Sequence, residues 1–420
     1  MFTTFLEAKE WIENLHRFGE KLDLHRMSIA CEVLGHPEKA FKSIHIAGTN
    51  GKGSTANYIK NILIEAGYKV GIYTSPYVVK FNERIGINYD FISDENVLKY
   101  TNILKELWDK IFLETGDSVT FFEVLTLMCF IYFKDEKIEY GVIEVGLGGT
   151  LDATNIITPI VSCITNISYD HMKQLGNTLE SIALNKLGIV KEGIPLITSV
   201  ENESLFPLFY EITSKNHSKI TFIDFNQIKE VNVSEVTSFE YYNELYKLLL
   251  PGFHQVKNAC LAIETIRELN LSNDLKITVD HIKAGLIKTT WPGRFEIFHH
   301  SIILDGAHNI GGVESLKKTL EAMYPNKYIK CLFCMMKDKE HLKIIAELDN
   351  VVDEFHFTEI PYPRRADAEE LFFESFHEKK FIHHDFEKAF NELSVLKDNE
   401  ILLVTGSLYF ISEIRKLIVK

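Results

Sequence analysis

Short apolar runs alternate with amphipathic stretches along most of this chain. The runs at 44–47, 70–74, 141–145, 160–165, 195–199 and 220–223 read as strands. Helical patterns lie between them, as at 55–65, where Tyr58, Ile59, Ile62 and Leu63 recur at helical spacing. Such alternation predicts an α/β fold, a mainly parallel sheet covered by helices on both faces. The alternation breaks at Thr289-Thr290-Trp291-Pro292-Gly293-Arg294, where Pro-Gly stops a helix. It restarts with runs at 302–304, 328–333, 351–357 and 401–404 and ends on an amphipathic stretch, 408–419. The pattern therefore predicts an N-terminal domain at 1–293 and a smaller α/β domain at 294–420. Ligand sites in such sheets lie at the carboxyl ends of strands and between domains. Several polar motifs here begin where an apolar run stops.

Composition narrows the function classes. The chain has 420 residues, 46% hydrophobic and 25% charged, as expected of a globular protein with two or three domains. A formal net charge of −14 argues against a general nucleic-acid binder. It leaves room for an anionic ligand held by local lysines and helix ends. The first residues lack a basic segment followed by an apolar core, and the longest apolar run, 124–133, is interrupted by Thr126. Neither a signal peptide nor a membrane span is expected, and a cytoplasmic protein is the simplest reading. Six cysteines are scattered. Cys331 and Cys334 have CxxC spacing, but they sit in an apolar run without a second pair and read as a buried strand. The doublets His299-His300 and His383-His384 read as surface or strand-end residues.

The sharpest motif is Gly48-Thr49-Asn50-Gly51-Lys52-Gly53-Ser54-Thr55, between a strand run and a helix run. Glycines let backbone N–H groups face phosphates, the helix start adds positive potential, and a lysine carries charge to the β- and γ-phosphates. The spacing departs from the common phosphate loop, because Gly53 separates Lys52 from Ser54. Further motifs follow other strand runs. Tyr73-Thr74-Ser75-Pro76-Tyr77 offers a hydroxyl able to ligate magnesium. Glu144-Val145-Gly146-Leu147-Gly148-Gly149 puts a carboxylate at a strand end, where a cation would pair with it. Asp170-His171 could be a metal ligand and its orienting partner. Asn185-Lys186-Leu187-Gly188 adds a lysine.

Farther on stand Gln255-Val256-Lys257-Asn258-Ala259, Trp291-Pro292-Gly293-Arg294-Phe295-Glu296, Asp305-Gly306-Ala307-His308-Asn309, Lys337-Asp338-Lys339 and Gly406-Ser407-Leu408-Tyr409. In this order, over 48–409, the motifs resemble those of the folylpolyglutamate synthase/dihydrofolate synthase family of the Mur ligase superfamily. The resemblance implies an N-terminal phosphate-loop ATPase domain, a Rossmann-like C-terminal domain and an active site between them. It implies ATP-dependent ligation of L-glutamate to a folate, or to dihydropteroate, through an acyl phosphate, with ATP and Mg2+ required and a monomer expected. By the same resemblance, Gly48 to Ser54, Asn258, Arg294 and Asp305 contact ATP. Ser75, Glu144, His171 and a carbamylated Lys186 serve magnesium. Lys52, Glu144, His171 and Lys186 are the catalytic set. Phe81, Arg84, Thr120, Phe122, Asp152, Thr154, His308 and Ser407 face folate or glutamate.

Some positions depart from the family pattern. Thr150 stands where many members have arginine, which removes a charge that could meet an anionic substrate and favours polyglutamylation over dihydrofolate synthesis. Leu187, Met172 and Ile310 replace the usual alanine, threonine and proline. Two other readings remain at this stage: another Mur-type amide ligase, and a nucleotide-binding module without ligation.

Overall fold

The apolar runs become the strands of two largely parallel sheets. The computed structural model describes residues 1–16, 23–117, 119–273 and 275–419. Contacts divide the chain into two units, Met1–Asp224 with Asn258–Leu286, and Phe225–Lys257 with Ile287–Lys420. The division falls ahead of the expected 293/294 junction, and it assigns 225–257 to the second unit. Local contacts explain that assignment, since His300 Nδ1 lies 3.2 Å from Glu235 and Gly252 abuts Thr319.

Among the described residues, the first unit carries an eight-stranded sheet in the order β4-β3-β2-β5-β1-β6-β7-β8. The strands are β1 Lys42–Ala47, β2 Val70–Tyr73, β3 Ile85–Ile87, β4 Asp90–Phe91, β5 Tyr140–Glu144, β6 Val161–Ile164, β7 Leu196–Thr198 and β8 Ile220–Phe222. From β2 to β8 neighbouring strands run parallel, and the hairpin β3-β4 adds an antiparallel edge. The central strands are buried throughout, which is why they read as near-continuous apolar runs. Phe41, Phe130, Phe133 and Ile143 belong to one core, and Ala47, Val145, Ile164 and Leu187 to another. Because β1, β2, β5 and β6 are neighbours in one parallel array, the loops after them gather at one end of the sheet.

The second unit contains β9 Ile228–Asn232, β10 Thr237–Tyr241 and β11 Glu244–Leu248, an antiparallel three-stranded sheet. It also contains a six-stranded sheet in the order β12-β13-β17-β14-β15-β16. Those strands are β12 Glu296–Phe298, β13 Ile302–Leu304, β14 Tyr328–Phe333, β15 Glu354–Thr358, β16 Lys380–His383 and β17 Glu400–Thr405, all parallel except β12. Cys331 sits in β14 and Cys334 just after it. Both thiols are free and fully buried, as are the other four, so the CxxC spacing is a strand pattern. His299 and His300 form the β12-β13 turn and His383 ends β16, as the sequence suggested. Among the described residues, no helix is long and apolar enough to cross a membrane.

Candidate functional site

The phosphate loop connects β1 to the helix Lys52–Glu65. Its two outer glycines are dictated by geometry. Gly48 has φ 146°, and a Cβ there would stand 1.8 Å from Thr165 Oγ1. Gly51 has φ 84°, and its Cβ would stand 2.3 Å from Asn258 Oδ1. Asn258 therefore lies directly against the loop. The segment after β6 braces it from beneath: Asn50 N donates to Asn166 Oδ1 at 2.8 Å, Thr49 N to the Asn166 carbonyl at 3.0 Å, and Thr165 Oγ1 to the Asn50 carbonyl at 2.6 Å. Gly53 and Ser54 fall in the first helical turn, where unpaired N–H groups and the helix dipole favour an anion.

Four expected residues converge on this loop. Lys52 Nζ donates to the Gly48 and Thr49 carbonyls at 3.2 and 3.3 Å and stands 3.8 Å from Glu144 Oε1. Glu144, 4% exposed, ends β5, and its other oxygen accepts from Ser75 N at 3.1 Å. Lys186, at the end of the helix Leu179–Leu187, donates to the same Gly48 carbonyl at 2.8 Å. Burial, reinforced by the Lys52 charge and opposed by Asp170 and Asp152, pulls the Lys186 ammonium down to about 7. A substantial neutral fraction at physiological pH is the form that reacts with CO₂. The donor set suits a hard cation, because a buried carboxylate and a hydroxyl residue meet at two adjacent strand ends. His171 stands at the rim: its side chain is 45% exposed, its backbone is left-handed at φ 51°, and Nε2 is 3.9 Å from Asp170.

The 146–155 loop is held from below. Asp152 Oδ2 accepts from Leu147 N at 2.8 Å, and Oδ1 accepts from Thr154 N at 3.0 Å and Thr154 Oγ1 at 2.5 Å. His45 Nε2, from β1, reaches Thr154 Oγ1 at 2.8 Å. Burial raises the Asp152 carboxyl against the lowering effect of these bonds. Thr150 N and Oγ1 both bond the Asn185 carbonyl, at 2.9 and 3.0 Å. Asn155 Nδ2 donates to the Thr150 and Gly188 carbonyls, each at 3.0 Å. Phe122 packs on Gly146 and tilts against Tyr73 at 5.7 Å. Thr120 caps the helix Phe121–Asp135. Arg84 lies over the rings of Tyr77 and Phe121, at 5.1 and 5.4 Å, and Phe81 packs edge-on to Tyr77.

In the second unit, the ends of the adjacent strands β13 and β17 bring the remaining expected residues together. Asp305 accepts from Phe295 N at 2.8 Å and Ala307 N at 2.9 Å, and its carboxyl is raised by burial while Arg294 opposes the shift. Gly306 lies against Arg294 and Leu408. His308 Nδ1 is 2.7 Å from the Gly306 carbonyl, and Ser407, 2% exposed, caps the helix Leu408–Ile418. Sequence reasoning passed over Thr165, Asn166 and His45. The first two extend a strand run whose polar end carried the signal. His45 is hidden inside an apolar run.

Comparisons with known proteins bear on the family and the fold. The family model described as the Mur ligase middle domain matches residues 46–266, and the Mur ligase, glutamate ligase domain matches 293–408. The dihydrofolate synthase/folylpolyglutamate synthase of Bacillus subtilis is 38% identical, with 99% of each chain covered. The crystal structure of a folylpolyglutamate synthase from Thermotoga maritima superposes with a TM-score of 0.86 at 32% identity, covering 98% of this chain and 96% of that one. The structure of E. coli FolC in complex with DHPP and ADP gives 0.87 at 28% identity, covering 99% and 98%. With both family models matched in order and such similarity over almost the full length, the chain belongs to the dihydrofolate synthase/folylpolyglutamate synthase branch of the Mur ligases.

Proposed function

We propose that this chain uses ATP to join the amine of L-glutamate to the carboxylate of a reduced folate, extending a polyglutamate tail. The observation that carries this reading is one linked cluster at the loop: Lys52 and Lys186 both donate to the Gly48 carbonyl, Glu144 lies 3.8 Å from Lys52, and Ser75 N donates to Glu144. A carboxylate is a poor electrophile, so its oxygen first takes the γ-phosphoryl of ATP. Glutamate's amine then attacks the acyl carbon and phosphate leaves. The first step needs alignment and charge neutralisation more than covalent help. Lys52 and the N–H groups of the first helical turn bind the β- and γ-phosphates. Asn258, Arg294 and Asp305 hold the nucleotide's adenine, phosphate and ribose parts.

Magnesium, when bound, screens the phosphate charge and polarises the transferred group. Ser75 and Glu144 would hold one ion, and Glu144 and His171 would serve a second, supported by a carbamylated Lys186. A carbamate converts a buried cation that repels metal into an anion that supports it. The 146–155 loop, with Asp152 and Thr154, and the Phe81, Arg84, Thr120 and Phe122 cluster would receive the folate. His308 and Ser407 would face glutamate.

Phosphate release is expected to require both glutamate and a reduced folate. Glutamate-independent hydrolysis would instead favour a nucleotide switch. Parallel assays with tetrahydrofolate and dihydropteroate test the acceptor. Because Thr150 brings no charge, turnover with tetrahydrofolate should exceed that with dihydropteroate. The Lys186→Ala variant should lose turnover, and unchanged activity would refute the carbamate role.

A further inference from the structure

We propose a second metal site in the C-terminal unit, for a first-row divalent ion such as zinc, formed by His341, Glu370 and Glu374. It lies outside the phosphate-loop cluster. His341 opens the helix His341–Asp349, and the two glutamates lie one turn apart on the helix Ala368–Glu374. One ligand atom from each of the three falls within 4.8 Å of the other two.

The imidazole supplies the decisive detail. His341 is 6% exposed, and its Nε2 is 2.8 Å from the Met336 carbonyl. A carbonyl only accepts, so Nε2 carries a proton and Nδ1 is the ring atom turned toward the glutamates. Nδ1 stands 3.5 Å from Glu374 Oε2, a buried oxygen with no hydrogen bond. Two acceptors facing each other in a buried place repel unless a proton or a cation sits between them. A metal-bound histidine characteristically donates its other N–H to a carbonyl, as this one does. One imidazole nitrogen and two carboxylates favour zinc, cobalt or nickel over magnesium, which prefers oxygen alone.

The site would also fasten two strand-end loops. Met336 follows β14 and pairs with Arg365 after β15; Lys337 N bonds the Arg364 carbonyl at 2.9 Å, and Ala366 N bonds the Met335 carbonyl at 2.8 Å. An ion joining the helices that follow these loops would stiffen the Lys337-Asp338-Lys339 turn.

The test is calorimetric titration of ZnCl2 into the EDTA-treated full-length protein, without nucleotide. One equivalent should bind the parent, should be lost in His341→Ala and in Glu370→Gln, and should resist millimolar magnesium. Zinc should raise the melting temperature of the parent but not of the variants. If His341→Ala does not fold, the exposed Glu370→Gln decides alone. Equal zinc binding by parent and variants would overturn the proposal. So would a parent that binds no zinc, since a His341–Glu374 ion pair would then explain the geometry.

Discussion

His45 sets the pose of a loop to which it does not belong. Thr154 Oγ1 donates to Asp152, so it accepts from His45 Nε2–H, and a hydroxyl, a carboxylate and an imidazole form one directed chain. Burial, helped by Lys191, pushes the His45 imidazolium down to about 3, so the ring stays neutral and its Nδ1 remains buried without a hydrogen bond. Replacing the ring with an apolar side chain would leave Thr154 free to rotate away from Asp152. His45→Leu should raise the folate KM roughly tenfold, the equivalent of about 1.4 kcal/mol, with the ATP KM unchanged. His45→Gln keeps a donor and should recover most of the loss. Equal rises in both KM values would mean that the sheet end as a whole had shifted.

Elements differ in how openly the sequence declares them. Central parallel strands are buried on both faces, so the runs at 44–47, 141–145 and 328–333 matched β1, β5 and β14 to within two residues. The antiparallel β9 and β11 are largely exposed or half-buried and mix polar with apolar residues in no regular order, so they produced no run to read. The half-exposed β16 was missed for the same reason, whereas β3 is buried but only three residues long and β4 only two. The helix after β1 starts at Lys52 rather than Thr55, because Gly51 turns left-handed and releases the chain into the helix early. At the edge of the C-terminal sheet, His356 on β15 stacks on Phe381 and meets His383 at 3.0 Å. Burial holds its imidazolium down to about 4, with His383 and Lys330 adding to the shift and Glu354 opposing it. The unfolded chain thus takes up this proton first, so this group's contribution to stability should be lost as pH drops from about 6.5 toward 4. His356→Gln should flatten part of that slope, as read from urea midpoints across the range.

At the scale of the whole chain, the candidate site follows from strand order more than from any one motif. Placing β2, β5, β1 and β6 side by side delivers Ser75, Glu144, Gly48 and Asn166 to one end of one sheet, from positions far apart in sequence. Motif order made those residues legible. The bracing by Thr165, Asn166 and His45 was not, since contacts across a sheet leave no local spacing to read. Ligand binding adds to native stability, so an ATP analogue at a hundred times its Kd should contribute about 2.7 kcal/mol, visible as a higher urea midpoint. The six buried thiols make such unfolding easy to locate. Burial raises all of them, Cys163 and Cys334 to about 12, so none should alkylate readily while its core is closed. Cys31, Cys129, Cys163 and Cys260 belong to the first unit and Cys331 and Cys334 to the second. The unmodified chain thus carries its own set of timed labels. Pulsed maleimide labelling, read peptide by peptide, should give the 331/334 pair a rate of its own, and a single shared rate would mean that the two cores open together.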